Sequence, residues 1–558
     1  MSNIRRGFRT WRRPVGYLAL FGITAGTILN VRSRYGDQIE GNDTFAQHTR
    51  QQQKKHRFSG MHEPFITNNS SELEMFQKHF SQYSYLFPKD MDTLKQRLSL
   101  KTPVKIKPLS ECSVKSNLSS NDRHILIVGG PPALMSGVSM VKTEKHLTYI
   151  NDERQIPIAN GSAWHLEQDA ATEAPTGLLP HNFFLDQLIR ATIGYGSHAS
   201  AEQTGLFSWR TLDWIGWIRH PEHWLAAIKI AVGFQWSTMF GDRQMTLKDV
   251  ALQCVENEKF FQNLDQDLNG QLLLQGRGSV LVARTDQEVS ELNKLRADVT
   301  NEGRVLNILS KEEMISRYGF LPKGLMYGEK LHDRVISPSF MKLLNGYIKQ
   351  QGGTVVNGVL STIYVDKQQP GGIAEYQSAD GQKHLVPFSR LIVSLGRQSI
   401  VKENNQRLFD IVAARGVSIL AHVYVPKGYR LPPVLVCGGT NHVTKLSENP
   451  VSVKADDGKT YDLYLMKVTA GACITPNVID ESTPNYDGTI AVGLISAARH
   501  TIGDQCKVEP IFVHGCNRQV SQYGQIHWME PFPGIHVQYG AGGGGLTRAP
   551  DFVAKPQS

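Results

Sequence analysis

The chain has 558 residues, enough for two or more cores, because single cores seldom grow past about 250–300 residues; at 40% apolar and 20% charged it is neither collagen-like nor wholly disordered. Its net charge of +9 is local: residues 1–60 hold eleven Lys/Arg against three Asp/Glu, and the rest is close to neutral. A basic nucleic-acid groove on the globular part is therefore excluded from the expectations, and the charge points to an N-terminal targeting or membrane role.

In chain order, the first feature is "MSNIRRGFRTWRRPVGYLALFGITAGTILNVRSRYGD". Five arginines precede an uncharged run from Pro14 to Val31, and two follow it. Such a run rises about 1.5 Å per residue as a helix and reaches roughly 27 Å, just enough to cross a bilayer. Residues 1–36 thus read as a basic segment with a single-pass anchor at 14–31, in a bacterial inner membrane or a mitochondrial membrane. "RRGF" also resembles a twin-arginine export core, and the acid-free start resembles a mitochondrial presequence, so a removed signal competes with a retained anchor. Residues 37–122 read as a juxtamembrane region and linker, with one candidate helix in "NNSSELEMFQKHFSQYSYLF".

"HILIVGGPPALMSG" then opens a strand–turn–helix–strand unit. "HILIV" suits a buried parallel strand, "ALMSGVSMVKTEKH" a helix, and "LTYIND" a second strand ending in acid. Gly129 and Gly130 occupy the phosphate turn, and Asp152 stands where a ribose-binding acid belongs. A one-residue deletion in the alignment would move that acid position to Asn151. Pro131 and Leu134 replace the second and third glycines of G-x-G-x-x-G, and neither Pro131 nor Pro132 has an N–H for a phosphate. Prolines do suit a first helical turn, whose dipole can still face an anion. Taken alone, the unit reads equally as a nucleotide site or as a structural turn.

Further along, a Trp-rich stretch from Trp214 to Trp236 mixes apolar and charged residues as a packed helical region would. "GVSILAHVYVPKGYRLPPVLVCGG" and "YDLYLMKVTAGACITPN" read as long strands. Cys112, Cys254, Cys437, Cys473, Cys506 and Cys516 form no C-x-x-C pair and the histidines have no zinc spacing, so no metal site is expected. At the C-terminus a short strand, "GIHVQYG", runs into "AGGGGLTRAP". Five glycines among residues 540–545 carry a folding-entropy cost that is tolerable where backbone lies against something flat.

Residues Gly540 to Pro550 are similar to the G-H-G-G-x-G-[FW]-T-x-[AS]-P loop of the FAD-dependent oxidoreductase family of D-amino-acid oxidase type, with Ala541 for the His and Leu546 for the aromatic. Asp333 and Pro338 match its D-G-x-x-D-P turn, "SRLIVSLGRQS" resembles its A-A-G-x-W-S strand end, and "QGRGSVLVARTDQEVSELNKL" resembles the D-amino-acid dehydrogenase branch. The resemblance covers about residues 123–550. It implies an α/β fold: a Rossmann-like FAD-binding part (about 123–170, 330–400 and 510–550) interleaved with a β-rich, α+β substrate part (about 171–329 and 401–509), before a short tail at 551–558. It also implies FAD as cofactor, held by Gly129, Gly130, Asp152, Leu360, Gly396, Gly542, Gly543, Gly544, Gly545, Leu546 and Thr547. Arg518, in the matched "HGCNRQVSQYGQIHW", is the implied anchor of the substrate carboxylate or a charge close to the flavin, and Tyr539, just before the glycine loop, is read either as facing the flavin or as packing in its strand. The expected activity is oxidation of an amine or amino acid, with a quinone or another electron acceptor as the partner a membrane anchor would favour. "DFVAKPQS" is too short for the family's last helix, and together with the two prolines this supports an alternative: a non-catalytic relative serving as a membrane-tethered binding or assembly module.

Overall fold

The computed structural model describes residues 65–86, 103–113, 124–151, 259–296, 306–394, 400–475, 494–520 and 527–539, apart from short gaps within these ranges. In chain order the described elements begin with β1 (Phe65–Ile66), α1 (Ser70–His79), β2 (Val104–Pro108), β3 (Ile125–Gly129), α2 (Pro131–Met140) and β4 (Leu147–Asn151). β5 (Leu273–Ala283), β6 (Leu306–Leu309), α3 (Lys311–Tyr318), β7 (Met326–Ile336), α4 (Phe340–Gln350) and β8 (Thr354–Asn357) follow. The chain continues through β9 (Val359–Val365), β10 (Gly372–Gln377), β11 (Lys383–Phe388), β12 (Arg390–Ser394), β13 (Ile400–Val401) and β14 (Val412–Pro426). It closes with β15 (Val434–Cys437), β16 (Asn441–Lys445), β17 (Val451–Lys454), β18 (Thr460–Thr475), β19 (Lys507–Val520), β20 (His527–Phe532) and β21 (Ile535–Tyr539).

These strands make three sheets among the described residues. The first, in the order β20-β21-β12-β3-β4-β8, is parallel except for its edge strand β20. Every residue of β3 is buried, as expected of a strand covered on both faces. α2 and α4 pack together against this sheet through Val138, Val141, Leu344 and Ile348. The second sheet, β11-β10-β9-β2-β13, joins it through Leu126, Val128, Leu360 and Ile363 in one shared core. The third is a ten-stranded sheet, β1-β19-β14-β18-β16-β15-β5-β7-β6 with β17 beside β18. A parallel sheet with crossover helices, interleaved along the chain with a large mostly antiparallel sheet, is the α/β architecture expected from the sequence.

Three details differ from the expectations. α2 starts at Pro131 rather than Ala133 and ends at Met140 rather than His146. Two prolines fit the first turn, where N–H groups lack intrahelical partners. At the other end, the Thr143 amide and hydroxyl both donate to the Met140 carbonyl and close the helix in a turn. Second, part of the stretch read as a linker is built into the body: β1 pairs with β19, α1 packs on the third sheet, and β2 lies between β9 and β13. Third, β7 and β19 belong to the third sheet, which moves two edges of the expected FAD part. Residues 14–31 lie outside the described residues, among which no helix is long and apolar enough to cross a membrane.

Candidate functional site

The strand order of the first sheet reverses at β3: β4 follows it through α2 on one side, and β12 arrives from much later on the other. Ligands of open α/β sheets bind at such a switch point, beyond the carboxyl ends of the strands. Gly129 ends β3 there with φ +131°, a backbone conformation L side chains rarely adopt, and a Cβ on it would stand 2.0 Å from the Ser394 carbonyl oxygen. The Gly130 amide donates to that same carbonyl at 3.1 Å, and the buried Tyr149 hydroxyl donates to the Gly129 carbonyl at 2.7 Å. β3 and β12 are thereby drawn together at the crevice.

The same bonds reduce what the turn can give an anion. The Gly130 N–H is engaged, Pro131 and Pro132 have none, and the Leu134 N–H donates to the Gly130 carbonyl at 3.0 Å. Of the first-turn amides, at most that of Ala133 is left, together with the helix dipole. The turn is rigid nonetheless. Buried Ser136 donates to the Pro132 carbonyl at 3.2 Å and accepts from Gln538 Nε2 at 3.0 Å, which ties α2 to the end of β21.

Sequence reasoning missed Gly137. The third glycine of the usual turn lets helix and strand pack closely, and Leu134 holds its place here. A Cβ on Gly137, one helical turn later, would meet Ile348 of α4 at 3.2 Å and Ile127 of β3 at 3.5 Å. The close approach has moved one turn along the same helix face. The signal was the i, i+3 spacing from the expected position.

At the far end of the crevice Asn151 closes β4, donating through Nδ2 to Asn357 at 3.1 Å, and its carbonyl accepts from the Gly358 amide at 3.0 Å. The buried Leu360 follows two residues later in β9. Gly129, Gly130, Asn151 and Leu360 are therefore placed along adjoining strand ends. Tyr539 is the last residue of β21, half-buried and opposite His527. Arg518 lies in β19 opposite Ala414, but its side chain is outside the described residues, as are Asp152, Gly396, Gly542, Gly543, Gly544, Gly545, Leu546 and Thr547.

The third sheet has two unlike faces. One is apolar, with Val417, Ile419, Ala421, Val423, Val443, Met466 and Val468 packed under α3. The other carries a run of buried and half-buried polar side chains. His514, Ser418, Thr469 and His442 form one row across β19, β14, β18 and β16. The next row reads Phe512, Leu420, Lys467, Thr444, Val434, Ser279, Lys330 and Leu306. Ser418 and Thr469 approach to 3.4 Å, and the His514 ring stacks on Phe512. Sequence reading did not single out these residues, because each is one polar residue in a β-branched strand.

Part of this face is covered by α1. Glu72 meets His422 Nδ1 at 2.6 Å and accepts from the Tyr424 hydroxyl at 2.8 Å, while Phe80 lies against the His422 ring. Tyr85, just beyond α1, is pushed up to about 12 chiefly by burial. Among the described residues no cluster of three His, Cys, Asp or Glu could hold a metal.

No protein-family model and no curated protein matches this chain. Solved structures similar to it include glycine oxidase from Geobacillus kaustophilus, at 13% identity and a TM-score of 0.45 over 77% of this chain and 92% of that one. L-amino acid deaminase from Proteus myxofaciens in complex with anthranilate is similar at 10% identity and 0.47, over 79% and 92%. L-alpha-glycerophosphate oxidase from Mycoplasma pneumoniae, with FAD bound, is similar at 13% and 0.44, over 77% and 93%.

Proposed function

We propose that this chain is an FAD-dependent oxidoreductase that oxidises an amine or amino acid, tethered to a membrane by its N-terminal segment. The observation that carries the reading is the approach of Gly129 to Ser394 at the switch point of the parallel sheet, where any Cβ would collide with the Ser394 carbonyl and force the crevice edges apart. The residues present fit a dinucleotide with a reduced donor set: the α2 dipole and one amide at the pyrophosphate, Leu360 and Asn151 towards the adenine side, and the glycine run 540–545 for the ring system. Flavin, when bound, supplies a hydride acceptor for the carbon bearing the amine.

The chain's own work is then positioning. A guanidinium at Arg518 would hold the substrate carboxylate through two parallel hydrogen bonds, fixing the Cα–H direction. Tyr539, ending the strand that leads into the glycine run, would set a hydroxyl beside the amine. A membrane tether favours transfer of the electrons to a quinone or another carrier.

The engaged Gly130 amide and the two prolines favour a second reading, a non-catalytic relative acting as a binding or assembly module. Purified full-length chain separates the two. The enzyme reading expects a visible flavin spectrum that bleaches on anaerobic addition of an amino-acid substrate, and Arg518→Ala should slow that bleaching by about a hundredfold or more. A colourless protein that takes up no FAD rejects it. For the tether, the full chain should stay in the membrane pellet after alkaline carbonate, while a chain lacking residues 1–36 is released; equal release of both rejects the anchor.

A further inference from the structure

A turn that holds a phosphate does so with backbone N–H groups whose partner is the ligand. The turn between β3 and α2 commits its groups to the protein instead. The Gly130 N–H donates to the Ser394 carbonyl, the Leu134 N–H donates to the Gly130 carbonyl, and Pro131 and Pro132 have no N–H to give. Its carbonyls are engaged as well. The buried Tyr149 hydroxyl donates to that of Gly129 at 2.7 Å, and Ser136, fixed by Gln538 of β21, donates to that of Pro132 at 3.2 Å. Groups from β4, β12 and β21 therefore hold the turn in shape by themselves.

For a bound dinucleotide this has two effects. The pyrophosphate meets the α2 dipole and at most the Ala133 amide, where a turn without prolines would offer an N–H at each first-turn position. Each missing hydrogen bond to a charged oxygen weakens binding by about tenfold or more. The second effect concerns release: departure of the ligand leaves Gly129, Gly130, Pro132 and Leu134 with the partners they already have. No backbone group of theirs is orphaned, so the fold around β3 and β12 does not depend on the ligand.

We infer that the crevice takes FAD as an exchangeable ligand from the free pool, that the chain without FAD is a stable folded form, and that Pro131 and Pro132 limit the affinity. This rests on the flavin reading above and adds how the same site is regulated. The share of flavin-bearing molecules follows the supply of FAD instead of being fixed when the chain folds. The two prolines can be tested directly, because both lie in the first turn of α2, where alanine keeps the helical backbone and returns an N–H.

The test uses full-length chain, gel filtration and titration with FAD followed by flavin fluorescence. The native chain should lose most of its flavin on passage through a column without FAD and regain it when FAD is added back. Pro131→Ala should bind FAD about tenfold tighter, and Pro131→Ala with Pro132→Ala tighter again. Riboflavin, which has no phosphates, should not distinguish these variants from the native chain. Melting gives a readout of opposite sign: without FAD the variants should melt slightly lower, because alanine frees the unfolded chain, yet saturating FAD should raise them by more than it raises the native chain. A native chain that keeps its flavin through gel filtration and long dialysis overturns the inference and leaves the flavin reading standing; this measurement decides even where a variant does not fold. Equal FAD affinity in native chain and both variants overturns it too, as does a native chain that aggregates once stripped of flavin. If neither native chain nor double variant binds FAD at any concentration, the flavin reading falls and the exchange falls with it.

Discussion

At the scale of single residues, Gly129 has the least freedom to change. Alanine there would combine a positive φ with an overlap against the Ser394 carbonyl, which neither strand can relieve without breaking register. Gly129→Ala should cost about 3 kcal/mol or more, read as a lowered urea midpoint. The glycine itself was legible in "GGPP", because a turn after a buried strand needs one. The role of Gly137 was not, because its partner Ile348 comes from a helix much later in the chain. Two histidines beside the first sheet give a pH dependence. Burial, then the charge of His146, holds His124 below the ordinary imidazole value; burial, then the charge of Arg390, does the same to His536. As pH falls through the unfolded value of about 6.5, the unfolded chain takes up protons first. Stability is therefore complete above that value and is lost as pH falls towards the lowered folded values. The urea midpoint should drop between about pH 7 and pH 5, and a His124→Asn, His536→Asn chain should drop less.

At the scale of elements, α1 and α3 differ in what the sequence says about them. α3 carries its own boundaries: Ser310 and Glu313 form a reciprocal capping box, and Gly319 ends the helix in the left-handed region. Ser310→Ala should cost about 1 kcal/mol by denaturant titration. For α1 the apolar spacing of Leu73, Phe76 and Phe80 marks a helix, but nothing nearby in sequence says what it packs on. Its anchor is the Glu72–His422 pair, 350 residues apart in the chain. Glu72→Ala would leave His422 and Tyr424 buried without their acceptor, at about 3 kcal/mol, whereas replacing an exposed neighbour such as Glu74 should change little. The polar face of the third sheet was hidden for a similar reason. Ser279, Thr444 and Lys467 line up only through strand pairings that no local pattern encodes.

For the whole molecule, the division into a parallel and a mostly antiparallel sheet was legible in the order of strand runs and glycine turns. The exact partition was not, since β7 and β19 adjoin matched motifs yet pair within the other sheet. The segment 65–86 gives this a measurable form. A chain beginning near residue 61 should keep the native melting temperature, while one beginning near 88 should expose Leu420, Phe512 and Leu465 and aggregate, as seen by light scattering. The pairing of β1 with β19 also bears on how the protein is made. Phe65 finds its partner only when Val513 has been synthesised, and β21 completes the parallel sheet later still. These two pairings form only once the C-terminal strands have been made, so β1 and one edge of β12 wait unpaired until then. A chain truncated before Val513 would therefore lack the closing strands of two sheets at once.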